Sequence, residues 1–128
     1  PAAWIAAERE ARPAFERALR LWPNLTDARS AWSELLLRAG KYEEALAEAR
    51  RVRLRLDATE VYEREAVALF RLGRAEEAAP VFFTALYRNP AYFTAQYPDY
   101  ARAAIAWAES HGVSSPPRGH LKAPAADN

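Results

Sequence analysis

The chain reads EARPAFERALRLWP at residues 10–23, EALAEARRVRLRLD at residues 44–57 and EAAPVFFTALYRNP at residues 77–90. The three stretches align without gaps, and the second and third copies begin 34 and 33 residues after the copy before them. A fixed period of this length is the sequence signature of a repeat protein. Each copy is then one supersecondary unit that buries its apolar face only by stacking on its neighbours.

Each repeat carries the pattern of two helices. Residues 28–39 place apolar side chains at helical spacing, and Gly40 can end that helix in a left-handed turn. A second helix restarts near Lys41 and extends to about Leu56, and the same arrangement recurs around Gly73. Because the breaks within a pair are short, the paired helices are predicted to be antiparallel neighbours. We expect mostly helix and no β-sheet, with breaks near Gly40, Asp57, Gly73 and Pro90.

The order of alanine, phenylalanine and proline in the copies resembles the tetratricopeptide repeat, which has a period of about 34 residues and the pattern A-x3-F followed by a proline. The first and third copies match this pattern with Ala11, Phe15, Pro23, Ala78, Phe82 and Pro90. The second copy keeps Ala45 but has Ala49 and Asp57 at the other two positions. The resemblance implies an all-α fold in which antiparallel helix hairpins stack as a short right-handed α-solenoid with a C-terminal capping helix.

Several residues predict local detail. Glu65 occupies an apolar position of its helix and fits the pattern poorly. Pro13 and Pro80 stand inside the second helices of their copies, where a proline removes a hydrogen bond and costs about 3 kcal/mol. We therefore expect these helices to start late or to kink near their first turn. Asp57 and Glu60 have the spacing of a capping box, which predicts that a helix starts directly after Asp57.

The repeats predict one helical domain over residues 1–112 and a tail over residues 113–128. Residues 1–23 are either a partial repeat, whose first helix belongs to upstream sequence, or one N-terminal helix from about Ala3 to Trp22. The remaining segments are a repeat at 26–57, a repeat at 59–90 and a capping helix at 91–112. After Gly112 the composition changes to Ser, Pro, Gly and small residues, which predicts a flexible tail.

Composition excludes several classes of site. The chain has no cysteine, so it forms no disulfide, thiolate metal site or cysteine nucleophile. Its two histidines, His111 and His120, have no partner at metal-ligand spacing, and the sequence has no glycine-rich phosphate loop. We therefore predict no enzymatic activity, no cofactor and no metal site.

Uncharged runs in the sequence are short. The longest, at 78–87 and 89–98, have ten residues each, whereas a transmembrane helix needs about 18 or more, so no membrane span is predicted. Cytoplasmic proteins outnumber periplasmic ones, and nothing else in the sequence favours either compartment. The sequence therefore does not predict where in the cell the protein is located. Abundant alanine and arginine, with lysine only at Lys41 and Lys122, are typical of a GC-rich bacterial genome. The absence of methionine indicates a processed chain or a piece of a longer one.

The resemblance implies a concave surface, lined by the first helix of each pair, that accepts a peptide or helix of another protein. The positions expected to face it are Asp27, Ser30, Glu34, Leu37 and Arg38 in one repeat and Glu60, Glu63, Arg64, Val67, Phe70 and Arg71 in the next. Some members of the family clamp a partner's terminal carboxylate there with lysines and asparagines. This chain has Ser30, Glu34 and Val67 instead, so that specificity is not predicted.

Leu37, Val67 and Phe70 are the apolar side chains expected on this surface. Apolar groups there are costly to leave in water unless a partner covers them. Because acidic and basic residues surround them, we expect a partner segment with apolar anchors and modestly basic flanks, bound as a helix or an extended strand. The alternative is that Val67 and Phe70 pack against the next repeat.

Two other functions fit the sequence. One is a structural or regulatory module of a longer signalling, secretion or transcription protein, with the groove filled internally or by a second copy in a homo-oligomer. The other, a minor alternative, is contact with nucleic acid or another anion through Arg50, Arg51, Arg53 and Arg55. The net charge of +1 and the nearby glutamates favour a solvated outer face for these arginines, so nucleic acid is not the expected partner.

Overall fold

The computed structural model describes residues 2–117, and these residues form seven α-helices with no β-strand among them. The helices are α1 (Ala2–Leu21), α2 (Thr26–Arg38), α3 (Tyr42–Arg53), α4 (Thr59–Arg71), α5 (Ala75–Arg88), α6 (Pro90–Gln96) and α7 (Pro98–Ser110). The predicted breaks fall at or beside helix boundaries, so the all-α prediction is confirmed. No helix in this part of the chain is long and apolar enough to cross a membrane, as the sequence predicted.

Two glycines end α2 and α4 in the same way. Gly40 and Gly73 have φ angles of +83° and +78°, a left-handed conformation that costs a residue with a side chain about 1–2 kcal/mol. In both turns the amide of the following residue donates to the carbonyl five positions before it, at 2.9 Å. This bond satisfies a carbonyl that the helix end leaves free. The shared geometry shows that the sequence repeat is also a structural repeat.

Consecutive helices pack against each other along the chain. α2 packs on α3 and α4 packs on α5, and α3 also packs on α4, which joins the two hairpins. At the ends of the array, α1 packs on α2 and α7 packs on α5. This packing in adjacent pairs is that of an all-α helical repeat solenoid.

Small and large side chains share the buried contacts. Ala45, Ala78 and Ala85 are fully buried, and small residues let helix backbones approach closely. The larger side chains form two clusters, one around Trp32, Leu36, Leu46 and Leu69 and one around Tyr62, Phe82, Leu86 and Phe93. Each cluster draws on more than one hairpin or on the helices that follow, so the repeats bury their apolar faces by stacking.

The segment predicted as one capping helix at 91–112 forms two helices, α6 and α7, because Pro98 interrupts it. Proline has no N–H and disfavours the helical conformation of the residue before it, and Tyr97 has φ −137° and ψ 64°. Pro90 and Pro98 are the first residues of α6 and α7, where a missing N–H removes no helical hydrogen bond.

Pro13 and Pro80 lie inside α1 and α5, which begin at Ala2 and Ala75. Of the two alternatives, the late start was therefore wrong, since both helices begin well before their prolines, and the kink stays a prediction. Residues 2–21 form one continuous helix.

The capping box predicted at Asp57 and Glu60 does not form. α4 begins at Thr59, and its N-cap is Ala58, which is extended and makes no side-chain capping bond. The Asp57 carboxylate instead accepts a hydrogen bond from Arg88 at 2.7 Å. A long-range ion pair between the start of α4 and the end of α5 thus replaces the local cap.

Glu65, which fits the sequence pattern poorly, is 1% exposed. Its carboxylate accepts hydrogen bonds from Arg53 at 2.6 Å and 3.2 Å and from Arg50 at 3.2 Å. A buried carboxylate is stable only when it is paired and hydrogen-bonded. Two arginines predicted to lie on a solvated face therefore join α3 to α4 through a buried charge.

Residues 113–117 begin the predicted tail and contact the helices. The Val113 amide donates to the Ala108 carbonyl at 2.8 Å. Val113 and Pro116 lie beside Phe83 and Trp107 in the lining of a cavity of about 230 Å³. The rest of the predicted tail, residues 118–128, lies outside the described residues.

Candidate partner-binding groove

A groove lies between α2 and α4, the first helices of the two hairpins, and has a volume of about 490 Å³. Its lining comprises Trp4 from α1, Glu34, Leu37 and Arg38 from α2, Tyr42 from α3, Glu63, Arg64, Val67 and Arg71 from α4, and Tyr92 and Tyr97 from α6 and the residue after it. α2 and α4 face the groove together because α3, the second helix of the first hairpin, packs on both of them.

Seven of the eleven residues predicted for the concave surface line this groove, and they are Glu34, Leu37, Arg38, Glu63, Arg64, Val67 and Arg71. They share it because residues three or four apart lie on one face of a helix. Asp27 and Glu60 are outside its lining, exposed in the first turns of α2 and α4. Ser30 is also outside the lining and positions a groove residue, since its hydroxyl accepts a hydrogen bond from Arg64 at 2.6 Å.

Phe70 is not part of the groove, which corrects its predicted place. Its half-buried ring stacks on Tyr100 with centroids 4.1 Å apart and meets the Phe82 ring edge-on at 6.0 Å. The cause is α7, which packs against the last hairpin and covers Phe70. The alternative that Phe70 packs against the next element is therefore what the structure contains.

Glu34 forms the polar contact between α2 and α4. Its carboxylate accepts hydrogen bonds from Arg38 and from Arg64, both at 3.2 Å. The Arg64 guanidinium also donates to the Ser30 carbonyl at 3.1 Å, so it is fixed by two residues of α2. The Glu34 charge is thus already compensated within the groove.

Glu63 is the second carboxylate of the groove and is bound by Tyr97. The Tyr97 hydroxyl donates to Glu63 at 2.6 Å. Burial, followed by this hydrogen bond and the charge of Glu63, raises the pKa of Tyr97 well above its ordinary value. The tyrosine therefore stays protonated as a donor at neutral pH and holds the end of α6 against α4.

Arg71 is an exposed cation of the groove, as is Arg38, which is paired with Glu34. Arg71 forms no hydrogen bond or ion pair with any other residue in the described range 2–117. The lining holds three guanidinium groups, of Arg38, Arg64 and Arg71, and two carboxylates, of Glu34 and Glu63, so its net charge is positive.

Aromatic side chains form the walls of the groove. Trp4 and Tyr92 are 38% and 45% exposed, and the Arg38 guanidinium lies 4.9 Å from the centre of the Trp4 ring, within cation–π distance. Sequence analysis missed these residues, together with Tyr42 and Tyr97, because it searched only the first helix of each pair. The tyrosines of the uncharged run at 89–98, beside a helix break, were the signal that could have found this wall.

Within residues 2–117, no three His, Asp or Glu side chains are grouped so that they could hold a metal ion. The chain matches no protein-family model, no curated protein and no solved structure.

Proposed function

We propose that the chain is a tetratricopeptide-like interaction module that binds a short segment of another protein in the groove between α2 and α4. The observation that supports the proposal is that seven of the residues expected from the family resemblance line one groove. The 33- and 34-residue periods of the sequence support the family assignment.

The dimensions of the groove suit a few side chains of a peptide. Its volume of about 490 Å³ lies within the range of about 300–1,000 Å³ found for ligand pockets. Half-buried Leu37 supplies apolar surface, Val67 is buried within the lining, and Trp4 and Tyr92 supply partly exposed aromatic walls. A helix or an extended strand presents apolar side chains on one face and can place them against such a surface.

The partner segment carries an acidic side chain opposite Arg71. The sequence had favoured modestly basic flanks because acidic positions are common around the groove. However, Glu34 and Glu63 already accept hydrogen bonds from Arg64 and Tyr97, whereas Arg71 has no such partner among the described residues. Charge complementarity of this kind mainly determines specificity and the rate of association.

Peptide selection on the immobilised chain tests the proposal. Peptides enriched from a random library are expected to combine apolar side chains with at least one Asp or Glu. Their dissociation constants, measured by calorimetry, should rise about tenfold for Arg71→Glu, which corresponds to roughly 1.4 kcal/mol. Arg17→Glu is the matched control, because Arg17 is exposed on α1 and lies outside the groove.

Binding that is equal for the wild-type chain and Arg71→Glu would place the site elsewhere on the molecule. A selection that enriches no peptide would contradict the proposal itself.

A further inference from the structure

A second concavity, with a volume of about 150 Å³, lies between the start of α2 and the end of α3. It is lined by Pro23, Asn24, Thr26, Arg29, Arg51 and Arg55. This lining, called here the arginine pocket, contains three guanidinium groups and no carboxylate. None of its residues lines the groove between α2 and α4.

Arg29 is held in a fixed position in the arginine pocket. It donates to a Glu48 carboxylate oxygen at 2.7 Å and to the Pro23 carbonyl at 2.8 Å, and its side chain is 13% exposed. The other Glu48 oxygen accepts a hydrogen bond from Arg51 at 3.1 Å. One carboxylate outside the lining thus serves two guanidinium groups, so Arg29 and Arg51 together carry one positive charge more than Glu48 balances.

The start of α2 adds to the positive electrostatic potential of the arginine pocket. Thr26 is the first residue of α2, and the N-cap residue, Leu25, makes no side-chain capping bond. The first amides of a helix have no partner within the helix and favour negative charge. Asp27 stands in the same turn, but it is exposed and is not part of the lining.

The four arginines at positions 50, 51, 53 and 55 do not form one continuous surface. Arg50 and Arg53 donate to the buried Glu65, whereas Arg51 and Arg55 line the arginine pocket. Binding of a duplex needs guanidinium or ammonium groups that follow a row of phosphates, spaced about 1.7 Å per charge along the axis. A small concave pocket with converging arginines instead suits one compact anion.

We infer that the arginine pocket binds a single phosphate group, either a free phosphate ion or the phosphate monoester of a phosphorylated side chain. Guanidinium groups bind phosphate oxygens through paired N–H donors of matching geometry. Arg29 supplies a pre-positioned guanidinium group, Arg51 on α3 and Arg55 just after α3 supply charge, and the Thr26 hydroxyl and Asn24 amide complete a polar lining. This site is independent of the peptide groove proposed above.

Two-dimensional NMR of the full chain tests the inference, with inorganic phosphate, O-phosphoserine and a single-stranded DNA oligonucleotide as probes at matched ionic strength. Both phosphate probes should give saturable shifts at the amides of residues 26–29 and at the side-chain N–H groups of Arg29, Arg51 and Arg55. Equal affinities would identify free phosphate as the ligand, and tighter binding of phosphoserine would identify a phosphorylated side chain.

Arg51→Gln and Arg55→Gln are each expected to raise the dissociation constant of phosphate about tenfold, the effect of losing one charged hydrogen-bonding group. Both arginines are exposed, so each variant should keep the melting temperature of the wild-type chain. Arg17→Gln is the control and should bind phosphate unchanged.

The absence of saturable shifts with both phosphate probes would overturn the inference. Shifts that persist unchanged in both pocket variants would do the same. Tighter, salt-dependent binding of the oligonucleotide than of phosphate would also overturn it, in favour of a nucleic-acid surface.

Discussion

Phe70 and Leu37 are apolar residues near the ends of equivalent helices, but their surroundings differ. The Phe70 ring lies between Tyr100 and Phe82, so its removal empties a packed site. Leu37 is half-buried and lines the groove, so its removal mainly widens a surface that is already open. At the scale of single residues, a substitution of Phe70 should therefore mainly lower stability, whereas a substitution of Leu37 should mainly weaken peptide binding.

Phe70→Ala should lower the free energy of unfolding by about 3 kcal/mol, the lower end of the range for emptying a packed phenylalanine site. Leu37→Ala should lower it by about 1 kcal/mol or less, as is usual near a surface, and should weaken binding of a selected peptide. Urea denaturation of both variants measures the change in the free energy of unfolding. Calorimetry measures the change in affinity for the selected peptide. A Phe70→Ala variant as stable as the wild-type chain would show that the ring is not packed in solution.

The predicted residues that line the groove are those whose place follows from the helical period within the first helix of each pair. Glu34, Leu37 and Arg38 share one face of α2, since they lie three and four residues apart. The equivalent positions of the next repeat place Val67 and Arg71 on the same face of α4. Phe70 was misplaced because its neighbour Tyr100 lies on α7, beyond the last repeat. Glu65 looked out of place because the spacing of one helix does not show that two arginines on another helix reach it.

At the scale of elements, a polar contact at its C-terminal end joins α6 to α4. α6 is a helix of seven residues, too short to be stable by itself in water. The hydrogen bond from Tyr97 to Glu63 and the buried ring of Phe93 attach this segment to the array. The sequence predicted the helices that end in glycine turns, but it merged α6 with α7, because the effect of Pro98 on Tyr97 was not considered.

Tyr97 makes the stability of the chain sensitive to alkaline pH. Its pKa is raised in the folded state, above the unfolded value of about 10, so the folded chain holds this proton more tightly. The contribution is fully present below about pH 10 and is lost as the pH rises through the folded pKa. Tyr97→Phe should lower the free energy of unfolding by about 1.5 kcal/mol near neutral pH, and should lose less stability than the wild-type chain when the pH is raised above 10.

Urea denaturation at neutral pH and above pH 10 measures the free energy of unfolding of the wild-type chain and of Tyr97→Phe under both conditions. Tyr87→Phe is the control, because Tyr87 is 56% exposed and should leave the pH dependence unchanged. Identical loss of stability in the wild-type chain and Tyr97→Phe at high pH would show that Tyr97 does not hold the proton.

At the scale of the whole molecule, ion pairs between helices reinforce the stacking order. Arg12 of α1 donates to both carboxylate oxygens of Glu44 on α3, at 2.8 Å and 3.0 Å. Hydrogen bonding to Arg12 holds the pKa of Glu44 below its ordinary value, so this carboxylate is charged at neutral pH. The buried Glu65 joins α3 to α4 in the same manner. The contact of Glu65 joins the two hairpins, and Arg64 joins α4 to Ser30 and Glu34 of α2. The groove between α2 and α4 exists only while the two hairpins stay stacked.

The most direct test of this account is to locate a selected peptide on the folded chain by two-dimensional NMR. The account predicts that amide shifts on binding concentrate at Leu37, Val67 and Arg71, on the two facing helices, and that Arg17 on α1 is unaffected. Shifts centred on the exposed surface around Ile105 of α7, with the groove unchanged, would contradict it.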